Sequence, residues 1–446
     1  MDVTSTYKVK ILQYNHIFDE TVRVYRKAVA FFLDVCRAEW GILEPMVLKK
    51  RNNHLEQLTH RTAQNPEPKY DFDSAFYKMP AYLRRAAAQE AIGAYSSYES
   101  NHENWIKTGR NGKEPRLTFN RSTMPVLYKG NMFKWTDRCT AKVKIYHRND
   151  WVWLEVSLRE QDIRYIEMHC DQDKIQSPKL KKQGKRWYLS FSFERTVAFE
   201  DVPIGERTIC AVDLGLNQNA VCSIVRSNGT VVARKFINFP TEKDHLYKAL
   251  GRQKKAQQHG NRKTPVLWKH VNDINTEISR KTAKAIMAFA LLHHVDVIVF
   301  EHLETGGKLR GSKKQRLALW RKKEIQRIVE HNAHKNSIRI SRVCAWGTSK
   351  LAFDGSGCVT RGSCIQNGEL KHNYSICVFP NGKTYHCDLN ASYNIGARYF
   401  IRELLKSESV MTRLPAGAND LRYGTGTTRT LSTLIRLYAD LSASCA

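Results

Sequence analysis

"TICAVDLGLNQNAVCSIVRSNGTVVARKF", residues 208–236, is the stretch on which the fold turns. An apolar run rich in β-branched residues ends at Asp213, and a polar turn carrying Gly215 follows. A second apolar run leads to Asn228–Gly229, a dipeptide suited to a two-residue hairpin, and then to a third run. The reading is strand, turn, strand, hairpin, strand. Downstream, a long basic helical stretch runs from "KDHLYKALGRQKKAQQ" to "INTEISRKTAKAIMAFALLHH" and leads into an isolated apolar strand, "VDVIVFEHL". A Gly- and Lys-rich break, a helix through "LALWRKKEIQRIVEHNAHK" and the strand "IRISRV" complete the region. Strands in meander followed by alternating helix and strand indicate a mixed α/β layer.

The chain before residue 208 has another texture. "TYKVKILQY" alternates as a strand does, and "FDETVRVYRKAVAFFLDVCRAEWG" has helical spacing up to Gly41. More helical sequence runs through "AYLRRAAAQEAIGAYSSYESNHENWIK" to the turn-rich "TGRNGKEPR". From there to about residue 200, "AKVKIYHRNDWVWLEVSLRE" and "KRWYLSFSFERTV" read as strands joined by polar turns. A helical insertion therefore interrupts a β domain that takes one strand from before it.

With 446 residues, 42% of them hydrophobic, the chain has material for about two to four domains. Lys and Arg number 72 against 43 Asp and Glu, a net charge of +29. Self-repulsion of that size suits a polyanion-binding protein, and nucleic acid is the leading partner. A membrane partner is not expected: the longest clean apolar run, "AIMAFALL" at 285–292, is too short to span a bilayer. The opening "MDVTSTYKVK" has no signal-peptide core, and the eleven cysteines are an odd, scattered set. A reducing, cytoplasmic setting is the expectation.

Three acids stand out. Asp213 and Glu301 close apolar strands, which delivers a charged group to the rim of a sheet, where ligands of α/β folds collect. Asp388 precedes a run with apolar residues at Leu389, Tyr393, Ala397 and Phe400. It reads either as a helix N-cap or as a metal ligand. Taken singly, each acid reads first as a turn former, a cap or a solvated group, and only the conjunction in a basic chain favours a metal site. Converging carboxylates repel unless a cation neutralises them, and hard divalent ions prefer oxygen donors. Such ions held against a phosphodiester can clamp the attacking and leaving oxygens.

The segments "AVDLGLNQNAV", "VIVFEHLE" and "CDLNASYNIGARYF" resemble, in order, the three RuvC motifs of TnpB nucleases and compact type V CRISPR effectors. "GSKKQRLALW" falls where that family has a lid, and "VCAWGTSK" resembles the lead-in to its zinc-ribbon insertion. The resemblance implies a multidomain α/β protein. An RNase H-like (RuvC) nuclease domain is expected over 208–345 and 386–446, with a lid at 305–335. A β-barrel-like wedge domain over 1–14 and 113–207 would be interrupted by a helical recognition domain over 15–112, and 346–385 would form a zinc-ribbon-like insertion that binds target nucleic acid. It further implies that Asp213, Glu301 and Asp388 bind two Mg²⁺ ions, with Asn390 and Asn394 supporting them. The partners would be a guide RNA and double-stranded target DNA bearing a short flanking motif, engaged by a monomer or by a homodimer on one RNA. The expected activity is Mg-dependent RNA-guided DNA cleavage. Two rivals remain: guided binding that silences without cutting, and an RNase H-like transposase.

The insertion departs from the family pattern. Where a first CxxC pair would fall, positions 352 and 355 are alanine and glycine. Cys358, Cys364, Cys377 and Cys387 are present instead, with C-x5-C and C-x9-C spacing. They read either as a Zn²⁺ site closed by folded-back loops or as buried thiols. Candidate nucleic-acid contacts are Arg84 and Arg85 in "YLRRAAAQ", Lys181, Lys182, Lys185 and Arg186 in "SPKLKKQGKRWY", and Arg361 in the insertion. Basic side chains fix phosphates, and aromatics among them can stack on unpaired bases.

Overall fold

A computed structural model describes residues 1–446 except 14–15, 118–122, 171, 262, 303–320, 363, 367–368, 372–374, 407–422 and 444–446. The "GSKKQRLALW" stretch lies outside the described residues, as does the side chain of Cys364. Two compact units divide the chain: residues 2–196, and residues 197–446 with Met1.

In the first unit, β1 (Asp2–Lys10) pairs antiparallel along its full length with β7 (Arg186–Thr196), from Asp2 opposite Thr196 to Lys10 opposite Tyr188. The strand before the helices thus joins the strands after them. β5 (Lys174–Ile175) and β6 (Lys179–Gln183) also pair with β7, while β2 (Phe133–Asp137), β3 (Thr140–His147) and β4 (Asp150–Ser157) form a second antiparallel sheet. Between β1 and β2 lie α1 (Ile17–Leu43), α2 (Leu48–Thr59), the short α3 (Phe72–Ala75) and α4 (Ala81–Lys107). α1 is helical because Phe18, Val22, Tyr25, Val29, Phe32 and Cys36 repeat at three- and four-residue intervals, and all are buried. They share one core with Leu83 and Ala87 of α4, Val143 and Ile145 of β3, and Trp187, Leu189 and Phe191 of β7. One element departs from the reading of 113–207 as strands. Residues Glu160–Cys170 form a helix, α5, held inward by Ile163 and Cys170.

The second unit is built on the 208–236 stretch. It supplies β8 (Thr208–Asp213), β9 (Ala220–Arg226) and β10 (Val231–Ile237), a continuous antiparallel meander. Gly229, at φ +84°, completes the hairpin. β11 (Val297–His302) adds parallel to β8, and β12 (Arg339–Cys344) parallel to β11, giving the order β10-β9-β8-β11-β12. Three antiparallel strands extended by two parallel ones make the RNase H-like sheet.

Side-chain alternation along β8 separates the two faces. Ile209 and Ala211 pack with α9 (Cys387–Lys406) and α10 (Leu431–Ala443) through Tyr393, Ala397, Phe400 and Leu434. Cys210 and Val212 pack on the opposite face with α7 (Pro265–Leu292) and α8 (Lys322–Lys335) through Ile286, Ala290, Ile325 and Val329. α6 (Pro240–Gln258) precedes α7, and the basic stretch read as one long helical region is two helices. α9 crosses the sheet so closely that a Cβ on Gly396 would stand 3.0 Å from Val225 Cγ2 and 3.3 Å from Ala211 Cβ. A side chain there would push Val225 and Ala211 back by a few tenths of an ångström.

The insertion before α9 holds a three-stranded sheet of β13 (Thr360–Arg361), β16 (Ile376–Val378) and β17 (Thr384–His386) and a hairpin of β14 (Cys364–Gln366) and β15 (Glu369–Lys371). Among the described residues, no helix is long and apolar enough to cross a membrane.

Candidate nuclease site

β8 ends at Asp213, β11 carries Glu301 as its next-to-last residue, and Asp388 is the second residue of α9. The parallel pairing of β8 with β11 sets the first two acids on adjacent strands, and α9 passes behind them. The three carboxylates form one electrostatic group. Burial and then the charges of Glu301 and Asp388 push Asp213 well above the usual carboxylate range. Burial also raises Glu301 and Asp388. Asp388 lies inside the first turn of the helix, one residue past its start at Cys387, rather than at the N-cap.

Basic side chains oppose this excess of negative charge, His386 acting on Asp388 among them. Arg361, on β13, acts on all three acids; Lys322 and Arg398 act on Glu301. Arg361 is exposed while acting electrostatically on the acids. Carboxylate oxygens in charge excess are the donor set that a hard divalent ion would need. Among the described residues, no three His, Cys, Asp or Glu side chains are arranged to hold an ion as they stand.

Glu301 is positioned by a residue outside the three motifs. Thr348 Oγ1 donates to Glu301 Oε1, which opposes the rise in its pKa. Thr348 is fixed in turn from α9: Asn394 Nδ2 donates to the carbonyls of Thr348 and Leu351 at 2.9 and 2.8 Å. Asn390 accepts from Phe353 N and donates to Leu351 O, both at 2.8 Å. Both asparagines are fully buried. They hold the 348–353 segment rather than touching the acids, and Asn394 reaches Glu301 through Thr348. Arg398, also buried, donates to the carbonyls of Cys344, Trp346, Thr427 and Arg429, tying the exit of β12 to the chain before α10.

Three of the four insertion cysteines have described side chains: Cys358, Cys377 and Cys387. Cys377 and Cys387 are hydrogen-bonded to each other inside a small apolar core with Ala352 and Phe379. Cys358 is exposed.

Of the candidate nucleic-acid contacts, Arg84 is corrected. It is buried, its guanidinium donating towards His60 Nδ1 at 3.0 Å and Glu56 Oε1 at 3.3 Å and lying 3.8 Å from Asp73. The helix α4 turns it towards Glu56, His60 and Asp73, where its charge is taken up by polar partners within the unit. Arg85 is half exposed and pairs with Glu56 at 2.9 Å. Lys185 and Arg186 are exposed at the β6–β7 turn, and Lys182 bonds Asp19 at 2.6 Å. Lys181 belongs to a band that the sequence did not reveal. Across β1, β7 and β6, Lys8 and Lys179 flank Ser190, and Lys10 and Lys181 flank Tyr188. Burial and the like charges of Lys8 and Lys179 lower the pKa of Lys181.

Residues 5–147 match the Aq_aa04 family. The uncharacterized protein aq_aa04 of Aquifex aeolicus (strain VF5) is 30% identical over 125 residues, 25% of this chain and 70% of that protein. The TnpB-like protein aq_aa05 of the same organism is 26% identical over 242 residues, 49% of this chain and 76% of its own. The chain belongs to the Aq_aa04 family, and over about half its length it is similar to a TnpB-like protein.

Solved structures share the fold of this TnpB-like chain. A Cas12f1–sgRNA–target DNA complex aligns at TM-score 0.52 and 16% identity, over 85% of this chain and 81% of that one. The mini-RNA-guided endonuclease CRISPR-Cas_phi3 aligns at TM-score 0.54 and 11% identity, over 89% and 92%. These are compact type V effectors, and the TnpB-like chain has their multidomain, RuvC-containing architecture.

Proposed function

We propose that this TnpB-like protein is an RNA-guided DNA endonuclease that recognises a short flanking motif and cuts guide-matched double-stranded DNA at one Mg-dependent RuvC site. The observation that carries this reading is the placement of Asp213 and Glu301 at the ends of adjacent parallel strands with Asp388 in the first turn of α9, where burial and the charges of Glu301 and Asp388 push Asp213 up. Asp213, Glu301 and Asp388 would hold two Mg²⁺ ions, whose charge would offset the repulsion between the carboxylates. Bound there, the ions would supply an activated water and stabilise the charge developing on the phosphate. Thr348 orients Glu301, and Arg361 offers a cation to the scissile phosphate.

The fold relatives include a mini-RNA-guided endonuclease and a Cas12f1 protein in complex with sgRNA and target DNA. Net charge +29 and the Lys8–Lys10–Lys179–Lys181 band support the same partners here, since like charges this close favour a polyanion. Within this reading, 1–14 with 113–207 is the wedge, 15–112 the recognition domain, 208–345 with 386–446 the nuclease with its lid at 305–335, and 346–385 the target-contacting insertion.

The test is purification with co-purifying RNA, followed by incubation with plasmids carrying the guide-matched sequence beside a randomised flank. The expected result is Mg-dependent cutting of a subset of flanks, lost on RNase treatment. Cutting that survives RNase treatment would instead favour a transposase.

A further inference from the structure

A cavity of about 370 Å³ opens in the second unit between the turn after β8 and the helices α6, α7 and α8. That is the size range of sites that enclose a small aromatic ligand. Its walls are Leu246, Leu250, Ile278 and Ile325, with Lys243 and Arg321 among the lining residues. Tyr247 also lines it, with 77% of its surface exposed. An apolar slot, an open aromatic ring and two cations together match an unpaired nucleotide: base against ring and aliphatics, phosphate against charge.

Gly215 joins this cavity to the acids. It lines the cavity, and a Cβ built on it would lie 3.6 Å from Asp388 Oδ2 and 2.8 Å from the Gln218 carbonyl oxygen. At that point only backbone separates the cavity from the carboxylate, and no side chain could be accommodated. The other side of the turn is braced, since Lys243 Nζ donates to the Asn217 carbonyl and, at 2.7 Å, to Asn238 Oδ1. Arg321 is likewise held on α7, through Thr276 Oγ1 at 2.6 Å and Asn272 Oδ1 at 2.9 Å. The pocket is built from fixed groups, and α6 continues away from it with exposed Arg252, Lys254 and Lys255.

We infer that this cavity is a base-holding subsite, which takes the unstacked base of a single-stranded DNA nucleotide next to the scissile phosphate, with Tyr247 stacking on it. The subsite rests on the nuclease reading for its place in catalysis but not for its binding. It gives the acids a registered substrate: the base is seated first, and the adjoining phosphate is thereby delivered past Gly215 to the carboxylates. Duplex DNA cannot use it, because a stacked base cannot enter.

The test uses full-length protein with its RNA, carrying Asp213→Asn so that bound strands stay uncut. Single-stranded DNA with 2-aminopurine placed at successive positions is added, and its fluorescence is read. Quenching confined to one or two positions is expected. Tyr247→Ala should abolish it, and Leu250→Trp, which fills the cavity, should block it in a protein with unchanged melting temperature. In the protein with Asp213 intact, an abasic nucleotide at the quenched position should slow cutting about tenfold, while in Tyr247→Ala the same nucleotide should make little difference. Uniform quenching at all positions, or quenching unchanged in both variants, overturns the subsite even if the protein cuts. Position-specific quenching in a protein that never cuts supports the subsite and removes the nuclease reading alone.

Discussion

Replacing Asp213 with asparagine should stabilise the metal-free protein. In the folded chain, burial and the neighbouring Glu301 and Asp388 hold the Asp213 pKa well above its ordinary value. A carboxyl group raised in this way binds more protons folded than unfolded. Stability therefore falls as pH rises through the interval between the ordinary and the raised pKa, and the full penalty is present above it. At an effective dielectric near 20, one like-charge pair in a site costs on the order of 2–4 kcal/mol. Arg361 offsets part of this, so a net gain of about 1–2 kcal/mol is expected for the asparagine variant at neutral pH. For a unit of this size that is a rise of about 2–8 °C in melting temperature. Differential scanning fluorimetry in EDTA at pH 7.5 reads it directly, and the gain should vanish below about pH 4, where the free carboxyl is protonated as well. Saturating Mg²⁺ should raise the melting temperature of the unsubstituted protein and not that of the variant. A variant less stable than the parent at pH 7.5 in EDTA would refute the reasoning.

Thr348→Val should remove the hydroxyl that donates to Glu301, raise the Glu301 pKa further and move the acid limb of the cleavage pH profile to higher pH, with a loss of about tenfold at pH 7. An unshifted limb would mean that Thr348 only packs. Arg361→Ala should slow single-turnover cutting by about 10²-fold and leave guided DNA binding within a few-fold of the parent, as read by filter binding beside a gel assay. Elemental analysis should find well under about one zinc atom per chain, because Cys377 and Cys387 pack against Ala352 and Phe379; a full equivalent would contradict that packing.

The sheet was legible in the sequence where strand runs ended on acids. β8 and β11 are short apolar runs bounded by turn residues, and a buried strand leaves few other readings. Gly229 gave away its hairpin because few residues take positive φ. Helix α5 was missed although Ile163, Ile166 and Cys170 carry its spacing, since the strands around it coloured the whole region. Arg84 looked like a surface residue because a charge pattern cannot show which face of α4 is covered. Thr348 had no signal of its own: its hydroxyl acquires a role only when Asn394, 46 positions on, holds its carbonyl. The lysine band is similar, since Lys8 and Lys179 become neighbours only through the pairing of β1 and β6 with β7. Residues acting through strand ends are readable, and those acting through long-range register are not.

The central claim is that Asp213, Glu301 and Asp388 form a cutting site in a guided DNA-binding protein. Its most direct test compares the RNA-loaded parent with Asp213→Ala on one guide-matched duplex in Mg²⁺, with binding and cleavage measured in the same reaction. The account predicts equal binding and cleavage only by the parent. Cleavage by Asp213→Ala at the parental rate, or an intact duplex despite tight binding by the parent, would contradict it.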